Sequence, residues 1–186
     1  VCLVSASRRT FKIIDLGSAV LAHDVHNSYV QSRWYRAPEV PLGLQWDERV
    51  DVWGVGCVLA EVILGAPLFH GANVSAVLGA QTAVLGELPG WMRRTSHASG
   101  TASHYLVEGA HPTTIVTVDP PHCPPGNYKV RPLKTSLSAV LRLGPEHAQL
   151  LDFLGTILSL DPNSRPTATE ALAHPRSRNH AARTGA

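Results

Sequence analysis

Tyr29-Val30-Gln31-Ser32-Arg33-Trp34-Tyr35-Arg36-Ala37-Pro38-Glu39 comes a short way after Asp15-Leu16-Gly17, and these two stretches decide the fold. A carboxylate that leaves a strand at a tight turn can reach a hard cation, since Mg²⁺ takes one or two carboxylates together with phosphate oxygens. Gly17 would let the backbone turn without a side-chain clash. By itself Asp-x-Gly is a common turn. In the later stretch a tyrosine in a polar loop is followed by Arg33 and Arg36, whose forked donors match a phosphate.

Working outward, Phe11-Lys12-Ile13-Ile14 is β-branched and aromatic and closes on the Asp15 turn, which predicts a strand. Residues 1–4 are expected to pair with it as a hairpin. Residues 18–37 carry no periodicity and read as a long loop, functional or disordered. Asp47 is the expected N-cap of a helix over residues 48–64 that is apolar nearly all round, with Gly65 as its stop. Asp51 and Glu61 interrupt that run, which is already short for crossing a bilayer, so it predicts a buried central helix. A second helix is expected over residues 73–85, with Gly79 inside it. From residue 93 to 134 the composition turns to Ser, Thr, His, Pro and Gly, with short strands expected at 114–118 and 128–130. An amphipathic helix follows at 146–160. Thr167 and Glu170 form a capping box that opens a final helix to about Ala173, ended by Pro175 and followed by a polar tail.

The 44% hydrophobic and 16% charged content over 186 residues fits one globular domain, and a net charge of +2 without a basic stripe excludes an evident nucleic-acid surface. Cys2, Cys57 and Cys123 are too few and too irregular for a disulfide framework or a zinc site, which suits a reducing compartment. Cys57, inside the apolar helix, is expected to be a buried small hydrophobe. His97, His104, His111 and His122, the last beside Cys123, fit no zinc pattern and read as a solvated loop.

The order Asp15-Leu16-Gly17, then a phosphoacceptor, then Ala37-Pro38-Glu39 resembles the activation segment of a protein kinase, with Leu16 in place of the usual Phe. Ser18-Ala19, the run SYVQSRWYRAPEV ending at Val40, GAPLFHGAN ending at Asn73 and LDPNSRPTATEALAHP ending at Pro175 are similar to the dual-specificity tyrosine-regulated kinase (DYRK) branch of the CMGC kinases. Plant and algal members often carry the Leu variant. The Gly-rich loop, strand lysine, helix glutamate and catalytic loop of a kinase are not found in the sequence, and Val1-Cys2-Leu3-Val4 reads like the strand after the catalytic-loop Asn. The resemblance therefore implies a mainly α structure: a truncated C-terminal lobe of the protein-kinase-like fold, α+β overall, with a short β-hairpin at its N-terminus. Residues 1–175 would form the partial kinase domain, with an insert at about 93–134, and residues 176–186 the tail.

The same resemblance implies a partial Ser/Thr kinase that also autophosphorylates tyrosine, with ATP and Mg²⁺ as cofactors of the full-length enzyme and the fragment alone inactive. Its partners would be protein substrates, proline-directed, with no nucleic acid and no membrane, inside the cell in cytoplasm or nucleus. No catalytic residue proper lies within the fragment. Asp15 would hold the metal, with Gly17 beside it at the cofactor site. Tyr29 would be the activation phosphosite and Arg33 and Arg36 its phosphate partners, while Asn27 stands where many relatives carry a first acceptor. Tyr35 reads as a packing aromatic. Gln31 and Ser32 would line the loop that receives the residue after the phosphoacceptor; Ser32 would either bond catalytic residues or satisfy a turn. Glu39 and Arg165 would form a structural ion pair, and Asp51 would bond the catalytic-loop backbone. A second hypothesis is a noncatalytic kinase-like binding or scaffold module that docks partners through its helix-rich face. Gly54-Val55-Gly56 replaces the more usual Ser-Leu-Gly, and an extra glycine within a helix costs about 1 kcal/mol relative to Ala.

Overall fold

Two antiparallel strands and six α-helices account for the regular structure in the computed structural model, which describes residues 2–5, 10–21, 30–99 and 137–175. Strand β1 (Cys2–Ser5) pairs with β2 (Thr10–Lys12), Leu3 opposite Phe11, and a turn at Gly17 and Ser18 follows. The expected strands at 114–118 and 128–130, Asn27, Tyr29, most of the insert with its three later histidines, and the tail lie outside the described residues.

Helix α1 (Arg49–Leu64) is the centre of the packing. Its inner face buries Val52, Trp53, Cys57 and Ala60 against α5 (Ala148–Ile157), and Trp53 stacks on Phe69 with ring centroids 5.6 Å apart. A valine buried in this way contributes about 1.5–3 kcal/mol by leaving water. Gly56 permits the close approach of α5: a Cβ there would lie 2.7 Å from Leu158 Cδ2. Gly65 ends the helix in the left-handed conformation, φ 73°, its N–H bonded to the Glu61 carbonyl at 2.7 Å.

The structure corrects two expectations about this helix. The residue at its cap position is Glu48, without a side-chain cap bond, although Asp47 Oδ1 does accept the Arg49 N–H at 2.9 Å. Nor is the helix buried all round: Val55, Val58 and Val62 are 52%, 41% and 77% exposed, and with exposed Asp51 they form one stripe at helical spacing. The run of apolar residues carried no information about which side would be covered. No described helix is long and apolar enough to span a membrane.

Helix α2 (Val74–Leu85) starts at Asn73, whose side chain accepts the Ala76 N–H at 2.8 Å, and ends at Gly86, φ 96°. Helix α3 (Gly90–Ala98) occupies residues that composition assigned in part to the insert. Thr95, Ser96 and His97 are poor helix formers; tertiary anchors prevail, with Met92 fully buried and Ser96 Oγ donating to the Leu42 carbonyl at 2.8 Å. After α4 (Leu137–Leu141), the amphipathic segment begins as a 3-10 turn at Pro145–His147 and becomes α5, which ends at Ile157 while buried Leu158 and Leu160 continue into the following loop. Thr167 and Glu170 make the reciprocal capping box of α6 (Ala168–Leu172).

Candidate functional site

The segment from Val30 to Ala37 folds into a tight loop braced from inside by Arg36, which is only 6% exposed. Arg36 Nε donates to the Val30 carbonyl and its Nη2 to the Gln31 carbonyl, both at 2.8 Å. Gln31 is a non-glycine residue at φ 63°, a conformation that costs an L residue about 1–2 kcal/mol. Its side chain offsets that cost by bridging two elements: Nε2 donates to the Val50 carbonyl in the first turn of α1 at 2.7 Å, and Oε1 accepts the Ala37 N–H at 2.9 Å. The Gln31 carbonyl is thereby turned inward onto a buried guanidinium. Ser32, beside it, is exposed and makes no side-chain cap bond to the 3-10 turn at Arg33–Tyr35.

Three further side chains fasten this turn to the body. Arg33 Nη1 donates to the Ala72 carbonyl at 2.6 Å and Trp34 Nε1 to the Gly71 carbonyl at 3.0 Å, so the loop before α2 is held from two adjacent positions. Tyr35 donates its hydroxyl to Glu61 Oε2 at 2.5 Å, and that bond to a carboxylate, with partial burial, pushes the phenol up to about 12. Tyr35 is thus a bonded anchor as well as a packing aromatic, and the arginines take backbone carbonyls. A small open cleft between the segment and α2 is lined by Arg33, Arg36, Pro41, Val77, Leu78 and Gln81.

Glu39 and Arg165 meet in the core. Nη1 and Nη2 of Arg165 reach Oε1 and Oε2 of Glu39 at 2.6 and 3.0 Å in a forked pair, both side chains at most 1% exposed. Arg165 also bonds the Ser159 and Arg49 carbonyls and lies over the Trp53 ring, 5.0 Å from its centroid. These contacts tie the end of the segment to α1 and to the loop before α6.

Asp15 is exposed, just before the turn that follows β2. The turn is closed by the Ala19 N–H on the Leu16 carbonyl at 3.0 Å with Gly17 and Ser18 at its centre, as expected of the glycine, and Asp15 just before it is left-handed, φ 62°. A Cβ at Gly17 would be in ordinary contact with Asp15 Oδ1, at 3.4 Å. The described residues hold no cluster of three or more metal-ligating side chains. Asp51, on the open stripe of α1, has no side-chain partner among the described residues, and loss of hydration raises its carboxyl above the ordinary value. The sequence does not single out Trp34, Gln81 or Trp53; only the fold reveals what the first two bond and that Trp53 lies between Phe69 and Arg165.

Residues 2–176 match the protein kinase domain family. The chain belongs to the protein kinase family. This kinase chain is 37% identical over 164 residues to Serine/threonine-protein kinase ppk5 of Schizosaccharomyces pombe, an alignment covering 88% of the chain and 18% of that protein. Dual specificity protein kinase CLK1 of Mus musculus is 34% identical over 164 residues, covering 88% of the chain and 32% of the relative. Serine/threonine-protein kinase AFC3 of Arabidopsis thaliana is 35% identical over 179 residues, covering 94% and 42%. Its homologues are CMGC kinases of the CLK and DYRK type. A solved kinase domain superposes with a TM-score of 0.71 at 28% identity, covering 89% of the chain and 46% of that structure. The kinase chain thus spans less than half the length of these relatives.

Proposed function

We propose that the chain is the substrate-binding part of a DYRK-like Ser/Thr kinase that transfers the γ-phosphate of ATP to protein hydroxyls ahead of proline, and that also phosphorylates its own Tyr29. The observation that carries this reading is Gln31. An extended substrate lying over Gln31 and Ser32 would present the backbone N–H of the residue after its phosphoacceptor to the loop. The Gln31 carbonyl is turned inward onto Arg36. An N–H buried there without an acceptor costs about 1–3 kcal/mol, and proline has no N–H to lose. The loop therefore favours proline by sparing it a penalty that every other residue carries.

Asp15 fits the role of metal-holding carboxylate: it is exposed, and Mg²⁺ needs only one or two carboxylates beside the nucleotide phosphates. Bound Mg²⁺ neutralises charge on the transferring phosphoryl group. Arg33, exposed beside Arg36, supplies the reach toward a phosphate on Tyr29, with the buried Arg36 adding positive charge from below. Glu39 with Arg165 keeps the segment seated, and Asp51 faces the side where the catalytic loop would lie and bond it. The Val55, Val58 and Val62 stripe would be covered by the N-terminal portion of the kinase. Residues 1–175 then form the partial kinase domain and the free, buried Cys57 suits work inside the cell.

Peptide phosphorylation by the full-length kinase tests the reading. Substrates that differ only in proline or alanine after the acceptor should differ about tenfold or more in kcat/KM. Equal rates on the two would refute it.

A further inference from the structure

Gln81 on α2 is 1% exposed, and its amide is only half satisfied. Nε2 donates to the Arg36 carbonyl at 3.0 Å, while Oε1 is buried with no hydrogen-bond partner among the described residues. The two ends are not interchangeable, because a carbonyl needs a donor and only the nitrogen can serve it. A leucine would fill the same space without an orphaned oxygen, so the amide is a net cost to the packing unless its single bond has a use. That bond fixes the main chain of Arg36, the residue whose guanidinium holds the Val30 and Gln31 carbonyls.

We infer that Gln81 is a positioning residue for proline selectivity: through Arg36 it keeps the Gln31 carbonyl turned away from the substrate. The inference rests on the reading of Gln31 and Ser32 as the substrate loop. Without the Gln81 bond the Arg36 backbone can shift, its guanidinium loosens its hold on the Gln31 carbonyl, and Gln31 relaxes from φ 63° toward the extended conformation. The carbonyl then becomes available to the N–H of a residue other than proline. Selectivity falls because the alanine substrate improves relative to the proline one.

The experiment uses the full-length kinase and two peptides that differ only in proline or alanine after the acceptor. Wild type is compared with Gln81→Leu and Gln81→Met, both of which remove donor and orphaned oxygen together and should fold, as a melting curve checks. The ratio of kcat/KM for proline over alanine should drop about threefold to tenfold in both variants. A ratio unchanged while the two rates fall together, or do not fall, overturns the inference and leaves Gln81 as packing. A wild-type enzyme with no proline preference overturns the substrate-loop reading instead, and shows this before any variant is made.

Discussion

Replacing Arg165 by methionine should be among the most damaging single changes in the chain. Its guanidinium holds Glu39 in a forked pair at 2.6 and 3.0 Å with both side chains essentially inaccessible. Removing it leaves a carboxylate buried without its partner, which costs about 3–5 kcal/mol, and strips donors from the Ser159 and Arg49 carbonyls at about 1 kcal/mol each. Glu39→Leu should cost less, about 3 kcal/mol, because Arg165 keeps both carbonyls and the Trp53 face. With both residues replaced no charge is stranded, so the double variant should fall short of the summed single losses by about 2–3 kcal/mol. Urea unfolding followed by circular dichroism measures all four corners of the cycle. An Arg165→Met loss under about 1 kcal/mol, or one smaller than that of Glu39→Leu, would refute the reasoning.

Gly54 and Gly56 should respond oppositely to alanine. A Cβ at Gly54 meets only Gln31 Nε2 at 3.5 Å, so Gly54→Ala should stabilise by about 0.5–1 kcal/mol, whereas Gly56→Ala drives into Leu158 and should destabilise by about 1–3 kcal/mol in the same unfolding assay. Burial raises the Cys57 thiol from 9.0 to about 12, so above pH 9 the unfolded chain ionises first and stability should decline toward pH 12; Cys57→Ala should flatten that decline in melts across the range. The Val55, Val58 and Val62 stripe should make the chain alone bind the dye ANS strongly, and joining the N-terminal portion of the kinase should suppress the signal; a cooperative monomer with little dye binding would favour the binding-module hypothesis.

How far the sequence could be read follows from where its signals come from. The capping box at Thr167 and the αL stop at Gly65 are local devices, spelled out by adjacent residues, and the structure has both of them. Helix α3 was illegible because Met92 and Ser96 are held by distant partners that prevail over a weak local preference. The covered side of α1 was illegible for the opposite reason: an apolar run without periodicity gives no direction. At the site, Arg33 and Arg36 were visible as cations, but their carbonyl partners were not, since any backbone can accept and the sequence does not say which one will. The left-handed Gln31 is least legible of all, because a glutamine carries no conformational signal and the strain is offset by bonds to Val50, Ala37 and Arg36.

Phosphoryl transfer from radiolabelled ATP to a protein substrate, measured for this chain alone, for the full-length kinase and for its Asp15→Ala variant, tests the central claim most directly. The account predicts turnover by the full-length protein alone, lost by orders of magnitude on removal of the Asp15 carboxylate. Robust turnover by the isolated chain, or a full-length enzyme indifferent to Asp15→Ala, would contradict it.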